Sequence, residues 1–152
     1  MSTDAPGPVL RELAAVCRQD ERGFAGAADA IRSKGIKAAL RRYGLQRSRL
    51  AAELEQHISR LAGDGHVAAV RLFGAWADLP TAVHRDESAV LDECARSEAI
   101  TRQRFEWALE RDLPLNVRMV VHRQYTEIKA ALQWLGRAQI AASVRKHSFH
   151  GA

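Results

Sequence analysis

A chain of 152 residues, 47% of them hydrophobic and 27% charged, has the composition of one globular domain able to bury a real core. The net charge of +5 is mild, and acidic residues interleave with basic ones nearly everywhere, which marks a solvated helical surface rather than a polyanion-binding arm. The longest apolar runs are too short to span a bilayer, and the opening MSTDAPGP lacks the charged-then-apolar pattern of a signal peptide, so the protein is expected in the cytoplasm.

In chain order, residues 1–7 read as a polar leader and Pro8 suits the first turn of a helix. A helix over 8–32 carries Leu10, Ala14, Cys17, Phe24, Ala28 and Ile31 at alternating steps of four and three, the signature of one helical face. Ser33-Lys34-Gly35 breaks it, with Gly35 able to take the left-handed conformation that ends helices. A second helix over 36–62 has the stripe Ile36, Leu40, Tyr43, Leu50, Leu54, Ile58, Leu61 and stops at Gly63-Asp64-Gly65. Residues 66–85 form a connection with a short apolar helix, VAAVRLFGAWADL, ended by Pro80. A third helix over 86–112 shows Leu91, Cys94, Thr101, Phe105 and Ala108, and Leu113-Pro114 makes a turn. A fourth over 114–142 shows Leu115, Val121, Tyr125, Ile128, Leu132 and Leu135, and the aperiodic tail 143–152 is expected to be a flexible basic end.

Four long amphipathic helices with short first and last links predict an all-α, antiparallel four-helix bundle occupying residues 8–142. The second helix is about 40 Å long at 1.5 Å per residue, and a middle connection of this length can run all of it. Both the crossover arrangement and simple up-down-up-down topology remain open at this point.

Charged residues interrupt the stripes at matching heights. Glu21 falls between Cys17 and Phe24, Arg47 between Tyr43 and Leu50, and Glu98 between Cys94 and Thr101. Glu21 is thirteen residues before Lys34 and Arg47 thirteen after it, so an antiparallel hairpin sets them level. Glu98 is near the middle of its helix, and Tyr125 comes level with it across the last hairpin. Charged groups enter a core when paired, so the expected feature is a buried polar layer of Glu21, Arg47 and Glu98, with Tyr125 as hydroxyl partner. Arg can bridge two carboxylates with its rigid fork and set helix register.

The competing reading of these carboxylates is a divalent metal site, iron above all. A di-iron bundle needs a Glu-x-x-His motif on two helices, and none occurs in the chain. Glu21, Glu98, Glu53 and His57 are the alternative ligand set, with Glu53 and His57 one turn apart on one face. Arg47, a cation at the key height, argues against it. Cys17 and Cys94 read as small buried hydrophobes, with no CxxC to suggest zinc. Lys34, Lys37, Arg41, Arg42, Arg49 and Arg60 make one side of the second helix basic, but Glu53 and Glu55 interrupt it, and no nucleic-acid-binding motif accompanies it. Trp107 and Trp134 lie one step off their stripes, where they either seat the crossover helix or mark a dimer face. No nucleophile–base pair or glycine-rich phosphate loop supports an enzyme.

Six segments carry a family resemblance: CRQDERGF from Cys17, RSRLAAEL from Arg47, WADL from Trp76, LDECARSE from Leu91, ALERDLP from Ala108 and RQYTEIKAA from Arg123. Over roughly 9–135 the chain resembles a proteobacterial ferritin-like four-helix-bundle family of unknown function. That resemblance implies a ferritin-like fold in a bacterial protein and leaves the activity open. It also implies a departure: the family commonly has a histidine where this chain has Leu132, and another where it has Phe73. The expected class is therefore a non-enzymatic structural or interaction module without a cofactor, its partner a second copy or another protein. The alternative is a ferritin-like metal-binding protein.

Overall fold

The computed structural model describes residues 5–62 and 86–150, with side chains through Lys146. These residues form four helices: α1 (Pro6–Asp29), α2 (Lys34–Ala62), α3 (Glu87–Leu109) and α4 (Leu115–His150). The expected apolar helix of the middle connection lies outside the described residues.

Local chemistry explains most of the boundaries. Pro6 and Pro8 sit in the first turn of α1, where their missing N–H groups cost no helical bond. At its end, the Ala30 N–H donates to the carbonyls of Gly26 and Ala27 at 3.2 and 3.1 Å. The break falls at Ala30–Ser33, one turn earlier than expected. Ser33 O accepts from Lys37 N–H at 2.9 Å, so α2 has begun and Gly35 lies inside its first turn rather than closing α1. Between α3 and α4, Arg118 reaches back so that its Nη1 donates to the Leu109 carbonyl at 2.7 Å, with Nη2 on the Arg111 carbonyl. A cation thus closes the negative end of α3. The tail expected to fray continues α4 to His150, because Arg145 and Lys146 pair with Glu87 and Asp86 at the start of α3.

Paired side chains give the helix directions. Glu12 meets Arg104 while Asp20 meets Thr101, so α1 and α3 run antiparallel. Glu53 meets Arg123 while the Tyr43 and Trp134 rings pack with centroids 5.5 Å apart, so α2 and α4 are also antiparallel. Both hairpins, α1–α2 and α3–α4, are antiparallel by connection. Hence α2 and α3 point the same way on opposite corners, and Ala62 and Asp86 lie at opposite ends of the bundle. This is the crossover arrangement.

Two apolar clusters fill the interior. One gathers Leu10, Leu13, Cys17, Leu54, Phe105 and Val121 with their neighbours. The other gathers Phe24, Ile31, Leu40, Leu91, Cys94 and Leu135. Between them stands a polar layer.

Candidate functional site

The layer is built from the same stripes as the core. Along α1 and just past its end the buried positions run Leu10, Leu13, Cys17, Asp20, Phe24, Ala27, Ile31. This alternation of three and four shares every second residue with the expected stripe. It places Asp20 inside where Glu21 was expected. On α2 the run Leu40, Arg47, Leu50, Leu54 carries Arg47 to the centre, and on α3 the run Leu91, Cys94, Glu98, Thr101, Phe105 brings Glu98 and Thr101 to meet it.

Arg47 is 0% exposed and is the largest fully buried side chain among the described residues. Its two terminal nitrogens donate to the two oxygens of Glu98, Nη1 to Oε1 and Nη2 to Oε2, each at 2.7 Å. Nη1 also donates to Asp20 Oδ2 at 2.9 Å, and the Thr101 hydroxyl donates to that same oxygen at 2.8 Å. Nε donates to Gln46 Oε1 at 3.4 Å, at the long edge of hydrogen bonding. The guanidinium carbon lies 5.5 Å from the Phe24 ring centre, in cation–π range. Two-pronged pairing of this kind is the strongest and most directional that a guanidinium makes.

Two carboxylates share one guanidinium, so the layer holds one negative charge too many. Burial makes that excess costly and raises the Glu98 carboxyl, and Arg47 pulls the other way. With Asp20 adding repulsion, Glu98 is pushed up to about 7. Burial disfavours charge on Arg47 too, but Glu98 and Asp20 outweigh it and hold the guanidinium above its ordinary value. Burial raises the thiols of Cys17 and Cys94, which keeps both unreactive.

The other expected site residues lie elsewhere. Glu21 is half-exposed and pairs with Arg18 at 3.0 Å, which in turn holds Glu55 at 2.7 Å. The Tyr125 hydroxyl donates to Glu106 Oε2 at 2.7 Å between α4 and α3, and the Lys129 ammonium sits 4.5 Å from its ring centre. On α4 the fully buried neighbour of Tyr125 is Gln124, whose Nε2 donates to Glu53 Oε1 at 2.7 Å and to the Leu50 carbonyl at 3.2 Å, within the Leu10–Leu54 cluster and away from Arg47. Burial raises the Glu53 carboxyl, but the hydrogen bonds from Gln124 and Arg123 prevail and hold it below the usual range. Glu53 is thus occupied beside His57.

Iron is the metal of the competing reading, and these residues do not fit it. Of the alternative ligand set, Glu98 is inside the bundle, Glu21 faces out on α1, and Glu53 is bound to its own partners. Among the described residues no three His, Cys, Asp or Glu side chains gather where they could hold one ion. Between the two buried carboxylates stands a cation.

Asp20 and Gln124 escaped the sequence reading for one reason. A stripe stepping three then four and one stepping four then three share every second residue, and apolar neighbours fill both. Leu13 is the signal that could have decided α1. It fills the core better than Ala14, and seven residues on from it stands Asp20.

Helix number, helix directions and a charged layer bridging three helices define an all-α four-helix bundle with an ionic centre. The model of a domain of unknown function, DUF2383, matches residues 7–111, and the chain belongs to that family. The match contains Asp20, Arg47, Glu98 and Thr101 and leaves α4 outside. No curated protein matches the chain.

Proposed function

We propose that the protein is a non-enzymatic structural or interaction module of the ferritin-like type, working in the cytoplasm, in which the polar layer sets helix register. One observation carries this reading. The central carboxylates, which in a metal-binding bundle would face an ion, face Arg47 through three short hydrogen bonds, and Asp20 accepts a fourth from Thr101. The helix directions support the ferritin-like comparison. Fold likeness confers no iron chemistry by itself. Two free buried cysteines suit a reducing compartment, and no helix among the described residues is long and apolar enough to cross a membrane.

The test is the metal content of purified, untagged protein before and after anaerobic Fe(II) loading. Only background metal is expected, unchanged in Glu98→Gln. A stoichiometric ion lost in that variant would replace this reading with a metal-binding one.

A further inference from the structure

The bundle is two hairpins laid together, and the polar layer joins them. Within the first hairpin, Arg18 of α1 binds Glu55 and Ser48 of α2. A Cβ added to Gly44 would stand 3.5 Å from the Glu21 carbonyl, so these two backbones are close. Within the second, Arg118 holds the end of α3, Tyr125 binds Glu106, and Arg145 binds Glu87. The seam between the hairpins is crossed at its centre by Arg47 to Glu98 and by Thr101 to Asp20. Away from the centre it is crossed by Arg104 to Glu12, by Arg123 to Glu53, and by Gln124 to Glu53 and the Leu50 carbonyl.

Charge does not balance at that centre. Nη1 of Arg47 is shared, 2.7 Å from Glu98 Oε1 and 2.9 Å from Asp20 Oδ2, and all three side chains are 1% exposed or less. A surplus carboxylate buried this deeply is relieved in one of two ways: a proton on a carboxyl, or water admitted by parting the helices. The groups whose charge bears on Glu98 come from three helices. α1 brings Asp20 and Cys17, α2 brings Arg47 and Tyr43, and α3 itself brings Cys94. α4 turns Ile128, Ala131 and Leu135 inward. Burial raises both thiols and the Tyr43 hydroxyl, so these three stay neutral near pH 7. Arg47 is the cation of the set.

We propose that the layer is a proton-operated latch between the hairpins: with its proton it holds α1–α2 against α3–α4, and without it the seam parts around Asp20, Arg47 and Glu98 and admits water. The proposal rests on the module reading and adds to it a control by pH. Glu98 is held at about 7 in the closed bundle, against an ordinary 4.5 once water reaches it. Protons therefore favour the closed form. Opening grows about tenfold per pH unit between those two values and levels above the higher one.

Hydrogen exchange of the full native chain, followed by mass spectrometry from about pH 5 to about pH 8 and divided by each amide's chemical rate, tests this. Amides of α1 around Asp20 and of α3 around Glu98 are expected to lose protection about tenfold per pH unit up to about pH 7, then to hold level. Low urea is expected to leave these openings unchanged, since they expose little surface, whereas it speeds exchange through unfolding. Asp20→Asn and Glu98→Gln each remove the surplus charge, so each is expected to flatten the profile, and one folded variant suffices. Protection indifferent to pH in the unsubstituted chain overturns the proposal. So does an unchanged slope in a folded variant. A slope shared by all four helices and steepened by urea overturns it as well, because the proton then leaves only on unfolding. None of these outcomes bears on metal content, so the module reading is judged separately.

Discussion

Arg47 brings a full positive charge into a place with no water, and its cost is met by the two carboxylates it binds. Removing one partner of such a group is far worse than removing all of it. Arg47→Met is therefore expected to lower unfolding free energy by about 3–5 kcal/mol, because Asp20 and Glu98 are left buried beside each other. Urea denaturation gives the number, and a loss below about 1 kcal/mol would contradict the pairing geometry. The pH dependence follows from the surplus carboxylate. Glu98 is held at about 7 in the folded chain, above its ordinary 4.5. A raised folded value contributes stability below the unfolded value and loses it as pH climbs through the folded one. The denaturation midpoint should thus fall between pH 5 and pH 8. In Asp20→Asn one guanidinium faces one carboxylate, and the fall should flatten. An equally steep fall in that variant would assign the proton to some other group.

On the scale of the element, each helix is held by its face more than by its propensities. Gly136 sits inside α4, and a Cβ there would meet nothing within 4 Å. Gly136→Ala should stabilise the chain by about 0.5–1 kcal/mol, seen as a higher melting temperature, because glycine has more backbone freedom to lose in a helix. Gly44 is tighter, with the Glu21 carbonyl and the Phe24 Cβ each 3.5 Å from an added Cβ, which is ordinary contact. The close approach of α1 and α2 there helps bring Asp20 within reach of Arg47. At the α3–α4 turn, Arg118 holds two carbonyls at the helix end. A long side chain four residues into the next helix does what a terminal glycine often does elsewhere.

For the whole molecule, the polar layer divides the interior into two apolar clusters and ties α1, α2 and α3 at one height. On the proposed reading that arrangement sets register before it adds stability. Replacing the layer together, Asp20→Leu with Arg47→Met and Glu98→Leu, is expected to leave the unfolding free energy unchanged or higher, since no charge is then stranded. The same triple change should broaden the amide spectrum if alternative registers become accessible. A strongly destabilised triple variant would instead give the layer a direct part in stability. The parallel corner positions of α2 and α3 put Ala62 and Asp86 at opposite ends of the bundle.

The sequence by itself determined the four helices of the described residues, most of their boundaries and the presence of charge inside the bundle. Those properties are local: apolar spacing, proline and glycine punctuation, and a stripe broken by Arg47 and Glu98. Tertiary structure decided which carboxylate completes the layer. Asp20 and Glu21 satisfy the same periodicity, and only the contact of α1 with α2 and α3 chooses between them; Gln124 and Tyr125 pose the same choice on α4. It also decided the helix directions, since loop length permits two topologies and only side chains paired across α1–α3 and α2–α4 exclude one. Exposure too is legible only afterwards: Leu115 stands on the expected core stripe of α4 yet is 73% exposed, because no spacing along one helix reveals which of its faces the others leave bare.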